Sequence, residues 1–261
     1  MIKRRSRDNI CGALLTMEQI NYTLNDAIQN EEDRSIAVLI GLGIISGLRR
    51  GEICGLKFGN IDHGELMDFS VDNMKESKCD IEYYKEHDEL IFIDNNMIYN
   101  GRNMEMPIKS GNSRIVVKPK CLSDIISYMM EQRNYVLKKH GKEIKSSDYV
   151  YMPLRYVGRE EHFTCDKVNK IWREYQIRRN KRMEDAGLEG ITIISIYELR
   201  ANQIIQCRAL SKVDELLNYG KRMILLNGIT TESDWIRINR DNIINHFDDK
   251  ILIDWTNAMK L

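Results

Sequence analysis

Residues 46–56 read SGLRRGEICGL, and they follow AVLIGLGII (37–45), a run that is apolar at nearly every position. A helix without a polar face has to be buried on all sides. At the exit of that helix the chain turns at Ser46-Gly47 and sets down Arg49, Arg50 and Glu52 within four residues. Taken alone, Arg49 has a plain reading, as a side chain that snorkels to the surface or pairs with Glu52 three residues on.

Elements read outward from this point in both directions. Upstream, LTMEQINYTLNDAI (15–28) predicts a helix with Thr16 as N-cap and Ile20, Leu24 and Ile28 on one apolar face. The apolar run itself predicts a buried helix over 33–46, and RRGEICGL a short one over 49–56. Downstream the period changes. IEYY (81–84), LIFID (90–94), MIYN (97–100), MEMPIK (104–109) and SRIVVK (113–118) are short, β-rich segments separated by NN, NGRN and SGN turns. They predict an antiparallel meander over about 80–118, with IKSGNSRIVV as its clearest hairpin. Helix then returns at 121–140 and at 164–176, where Thr164 is placed as N-cap and Val168, Ile171, Trp172 and Tyr175 form the buried stripe. Three later starts carry an S/T-x-x-D/E capping box, at Ser195/Glu198, Ser211/Asp214 and Thr231/Asp234. The fold class is therefore α+β, with helices around a small antiparallel sheet.

Composition sets the outer bounds. In 261 residues the 39 basic and 39 acidic side chains cancel, so nucleic acid or an anionic membrane would have to be met by a local patch. Six scattered cysteines include no C-x-x-C pair, the pattern of reduced thiols in the cytoplasm rather than of a zinc or disulfide framework. MIKRRSRDN (1–9) lacks the apolar region of a signal peptide, and no apolar run is long enough for a membrane span. A cytoplasmic protein without a membrane partner is expected.

Two more cations stand out by context. Lys109 falls beside the Ser-Gly-Asn turn, where a solvated lysine is commonplace. Arg200 lies in SIYELRAN one turn into a capped helix, sharing a face with Tyr197 at i,i+3 spacing. It is their order that is informative: an arginine in S-G-L-R-x-x-E, a lysine on a β-hairpin, then an arginine in x-x-L-R opening a later helix. In this the chain resembles the catalytic domain of the tyrosine recombinase (phage integrase) family. The similarity begins at Leu15-Thr16 and runs to about residue 240; SGLRRGEICGLKFGNID (46–62) is its strongest element, IKSGNSRIVVK a good one and ISIYELRAN a partial one.

The resemblance implies roles. Arg49 and Arg200 would hold the non-bridging oxygens of a scissile DNA phosphate, a task that suits planar, permanently charged guanidiniums. Glu52 would orient an arginine, and Lys109 would act as general acid toward the departing 5′-hydroxyl. The family uses no metal or cofactor, and its partner is double-stranded DNA.

The same comparison exposes departures. Tyr197 stands where the family has the first His of H-x-L-R-H, and Ala201 where it has the second. Tyr219, in LLNYGK, occupies the place of a later His or Trp, and Trp235, in TTESDWIRI (230–238), lies near the place of the nucleophilic tyrosine. An indole has no nucleophilic oxygen, and a phenol with pKa near 10 serves proton transfer poorly at neutral pH. The expectation is a DNA-binding relative of the integrases of mobile elements, with a degenerate active site and impaired strand cleavage. Two alternatives stay open: an active recombinase whose nucleophile is Tyr219 or comes from a partner, and a protein-interaction scaffold that keeps the fold.

Residues 1–14 are expected as a basic extension without a core-binding domain, and 15–261 as the catalytic domain. Its end, INHFDDKILIDWTNAMKL (244–261), reads as an amphipathic helix that the family would use to form homo-oligomers, or hetero-oligomers with an active recombinase. QIRRNKRMEDAG (176–187) is a basic helix end that is either ordinary or a phosphate contact.

Overall fold

The computed structural model describes residues 14–61, 82–99, 103–107, 114–157, 165–208, 232–256 and 258. Helix α1 (Met17–Gln29) starts where its sequence says: the Thr16 hydroxyl accepts from the Gln19 amide, and the Gln19 side chain accepts from Thr16 in return. Ile20, Leu24 and Ile28 are fully buried on its inner face. Helix α2 (Arg34–Ile40) continues as a π-helical turn, Gly41–Ile45, and every residue from 34 to 45 is buried. This is the central rod around which the domain packs. Its two glycines matter because neighbours come unusually close: a Cβ at Gly41 would stand 2.6 Å from Leu122 Cδ1, and one at Gly43 2.8 Å from Leu199 Cβ.

Beyond the rod come α3 (Arg50–Gly55) and four strands. Strand β1 (Leu90–Ile93) pairs antiparallel with β4 (Arg114–Val117), Leu90 opposite Val117, and all eight residues are buried. Strand β2 (Asn95–Tyr99) pairs antiparallel with β3 (Asn103–Pro107), Tyr99 opposite Asn103. The small antiparallel component is thus present, but among the described residues β4 finds its partner in β1 rather than in β3. Residues 108–113, which carry the expected tight turn, lie outside the described residues.

IEYY is a second difference. Residues 82–85 are helical, and the two tyrosines explain it. Tyr84 is wholly buried, its hydroxyl donating to the Gly59 carbonyl and its ring against Phe92. Tyr83 meets the His87 ring four residues on at 4.3 Å, a helical spacing.

The remaining helices are α4 (Lys120–Lys138), α5 (Cys165–Asp185), α6 (Ile196–Arg208) and α7 (Glu232–Lys250). Pro119, at the N-cap of α4, has no side-chain acceptor to offer; Asp248 of α7 supplies one, accepting from the Lys120 and Cys121 amides at 3.1 and 2.8 Å. Val168, Ile171, Trp172 and Tyr175 are buried as their spacing predicts. None of the helices among the described residues is long and apolar enough to cross a membrane.

The C-terminal segment is not one helix. Helix α7 ends at Lys250, and residues 251–255 are non-helical. Two amides four residues apart on α1 impose this. Asn21 donates to the Lys250 carbonyl (2.8 Å) and accepts from Leu252 N–H (3.0 Å); Asn25 donates to the Leu252 carbonyl (2.8 Å) and accepts from Asp254 N–H (2.7 Å). These bonds claim alternate backbone groups, as a neighbouring strand would. Ile251 is buried, Trp255 packs edge-on against Tyr128, and Tyr128 donates to the Ala258 carbonyl. The segment therefore docks on its own domain.

Candidate phosphate-binding site

The site forms where α6 is pressed against the exit of the central rod. The docking is set up upstream. On α5, Gln176 donates to and accepts from the backbone of Ile194, at 2.9 and 2.8 Å, and Asn180 does the same for Ile191, at 2.8 and 3.2 Å. Arg179 is fully buried beside them and donates to the Ile191 carbonyl and to Thr23 Oγ1. With the chain before α6 held this way, the Ser195 amide finds the Glu198 carboxylate at 2.5 Å, the reciprocal half of the predicted capping box. The boxes at Ser211 and Thr231, and Thr164, lie outside the described residues.

Helix α6 then lays Leu199 and Gln203, four residues apart, onto Gly43 and Gly47, also four apart. A Cβ at Gly47 would stand 2.8 Å from Gln203 Oε1, and Gly47 has φ +67°, so both space and backbone conformation call for glycine. Between the two contacts Arg200 is delivered to the turn, where its Nη1 donates to the Gly47 carbonyl at 2.6 Å. Arg49 is two residues further along.

Arg49 is half exposed, and Glu52 holds it twice: the Arg49 backbone amide donates to Oε2 and its Nη1 to Oε1, each at 2.7 Å. Glu52 is 1% exposed, and a carboxylate so buried needs more than one half-exposed counter-charge. Arg114, at the start of β4 and also buried, provides it with a fork of Nη2 to Oε2 at 2.6 Å and Nε to Oε1 at 3.4 Å. Burial alone pushes the Glu52 carboxyl up; the Arg114 charge and hydrogen bond, with Arg49 behind them, more than offset this and hold it down at about 2. Arg49, Arg114 and Arg200 against Glu52 leave these four groups with a net charge of plus two.

Of the residues singled out in the sequence, the structure brings Arg49, Glu52 and Arg200 to one turn. Tyr197, one turn before Arg200, is 63% exposed and lies under the Arg50 guanidinium at 5.6 Å. Trp235 is on α7, 8% exposed and part of the core; it is a packing residue. Lys109 and Tyr219 lie outside the described residues. Sequence reasoning missed Arg114, whose only signal was a cation opening a strand that is otherwise Ile-Val-Val. The three arginines of the basic cluster on α5 are committed internally, while Lys181 is exposed: Arg178 pairs with Asp33, Arg182 binds Asp26 through two nitrogens at 2.9 and 2.6 Å and Asp33 at 2.9 Å, and Arg179 is buried.

No protein family matches this sequence by its sequence pattern, and no curated protein matches it. Solved structures do. The Tn1549 transposon integrase in complex with transposon right end DNA superposes with a TM-score of 0.55 at 13% identity, over 94% of this chain and 64% of that one. The same integrase in complex with a circular intermediate DNA gives 0.53 at 12% identity, over 87% of this chain and 65% of that one. The chain thus spans somewhat under two thirds of the proteins it matches. At such identities the likeness is one of architecture: the chain has the mainly helical α+β fold of an integrase-type catalytic domain, with its small antiparallel β component.

Proposed function

We propose that this chain binds double-stranded DNA as a member of the tyrosine recombinase family, related to the integrases of mobile elements, and that it is impaired in strand cleavage. The observation that carries this reading is the Glu52-braced Arg49 set at the same turn as Arg200. Two guanidiniums at one turn offer several N–H donors to a single anion, and a phosphodiester, with two non-bridging oxygens, is the anion their geometry fits. The Tn1549 integrase, whose fold this chain shares, is a DNA-bound protein in its solved complexes. In this reading Lys109 is the general acid. Tyr197 and Tyr219 replace the family's histidines as hydrogen-bond donors. Strand cleavage is weak because Trp235, near the nucleophile's place, has no hydroxyl and is buried in the core.

The reading is tested by duplex binding as a function of salt. The wild type is expected to bind with an affinity that falls as salt rises, and Arg49→Ala with Arg200→Ala to lose most of that binding; equal binding by the double variant overturns the assignment. A suicide DNA substrate tests cleavage, where a covalent adduct lost in Tyr219→Phe would overturn the claim of impairment.

A further inference from the structure

We propose that Arg114 is a positioning residue of this site: acting through Glu52, it holds the Arg49 guanidinium in the orientation that receives a phosphodiester. The proposal rests on the DNA-binding reading above and names a residue that touches no ligand itself.

The argument is one of shared acceptors. Glu52 has two carboxylate oxygens, and each takes one bond from Arg49 and one from Arg114. Oε1 accepts from Arg49 Nη1 at 2.7 Å and from Arg114 Nε at 3.4 Å; Oε2 accepts from the Arg49 amide at 2.7 Å and from Arg114 Nη2 at 2.6 Å. The carboxylate plane is thereby fixed by the Arg114 fork, and that plane in turn fixes where Arg49 Nη1 lies. Only Arg49 of the two is open to solvent, with half its side chain exposed against 7% for Arg114. One arginine is presented to a ligand and the other is spent on bracing.

Removing the brace has a definite consequence. Among the described residues the charged groups acting on Glu52 are Arg114 from β4 and Arg49 from its own turn. Without Arg114, burial works against the ionised carboxylate with only the half-exposed Arg49 opposing it, and Glu52 takes up a proton more readily. A neutral Glu52 no longer anchors the Arg49 guanidinium as an ion pair. Arg114 also belongs to β4, 62 residues along the chain from Glu52, so the pair ties the β ribbon to the turn that carries Arg49. In the chain, Lys109 lies five residues before Arg114.

The experiment compares the wild type with Arg114→Met, Arg114→Lys, Arg49→Ala and Arg49→Ala/Arg114→Met. Duplex affinity is read by fluorescence anisotropy between neutral pH and about pH 5, and the Arg49 Nε–Hε resonance by NMR without DNA. Arg114→Met is expected to weaken DNA binding about tenfold or more at neutral pH, with further loss toward the acid end that the wild type does not show. The double variant is expected to bind no more weakly than Arg49→Ala, because both changes remove one device. Arg114→Lys, which keeps the charge without the fork, falls between. The Arg49 resonance, distinct in the wild type, collapses toward the averaged arginine position in Arg114→Met. An unmoved Arg49 resonance, or losses that add in the double variant, overturns the proposal. If the wild type fails to bind duplex at all, the DNA-binding reading falls, and the Arg49 resonance still decides whether Arg114 positions it. Should Arg114→Met fail to fold, Arg114→Lys carries the same readouts.

Discussion

Leu199 and Gly43 stand so close that a Cβ on the glycine would lie 2.8 Å from that of the leucine. This contact brings Arg200, the next residue, to the Gly47 carbonyl. Gly43→Ala therefore has to push α6 off the central rod, and overpacking of this kind costs about 1–3 kcal/mol. Thermal unfolding should report that loss, and DNA affinity should drop with it.

Arg179 is completely buried and satisfies Thr23, Asn180 and the Ile191 carbonyl. Replacing it with methionine keeps much of the volume but removes its bonds to Thr23 and Asn180 and leaves Asn180 as the remaining side-chain donor to the Ile191 carbonyl, so chemical denaturation should show a loss of about 2–4 kcal/mol. Arg173, exposed on the same helix, should cost far less when replaced.

Stability should fall at acid pH through Glu52. Its folded-state value, about 2, is depressed from an ordinary 4.5. A depressed carboxylate contributes stability that is complete above the ordinary value and is lost as pH falls toward the folded value, so the window runs from about 4.5 down to about 2. The lost contribution is on the order of 3 kcal/mol. Glu52→Gln should be less stable at neutral pH and show a flatter acid limb; an acid limb identical to that of the wild type would contradict the assignment.

Trp235→Tyr restores the family's residue type near the expected place without restoring access. Because position 235 is buried in the core, no covalent phosphotyrosyl adduct should form on a suicide substrate. Trp235→Ala should instead cost about 3–5 kcal/mol as a core cavity.

The amide ladder of Asn21 and Asn25 should be measurable in the tail it holds. Asn21→Ala with Asn25→Ala removes four hydrogen bonds to residues 250–254, each worth about 1 kcal/mol net. Limited proteolysis should then cut near Leu252, which is 66% exposed and already accessible on one side, well before the domain unfolds.

Much of this was legible in the residues. Thr16 with its helix, the all-apolar run of the central rod, the α5 stripe and the S-G-L-R-x-x-E turn are local patterns, in which the spacing of neighbours along the chain already states what each side chain must do. The failures share a cause as well. IEYY has a strand's composition, yet residues 82–85 are helical because Tyr84 is needed beneath Gly59 and Phe92. The tail has a helix's amphipathic spacing, yet two asparagines more than two hundred residues away claim its backbone.

By itself, then, the sequence determined the helical rod, the α+β class and the pair Arg49 and Glu52, because those depend on periodicity and on contacts three or four residues apart. Only the tertiary structure decided that Arg114 braces Glu52, that Arg200 lands at Gly47, that Arg178, Arg179 and Arg182 of α5 are bound within the domain and that Trp235 is core. Each of these is a buried charge or a close approach between segments remote in the chain. A burial cost is met by whichever partner folding brings near, and nothing in local spacing names that partner.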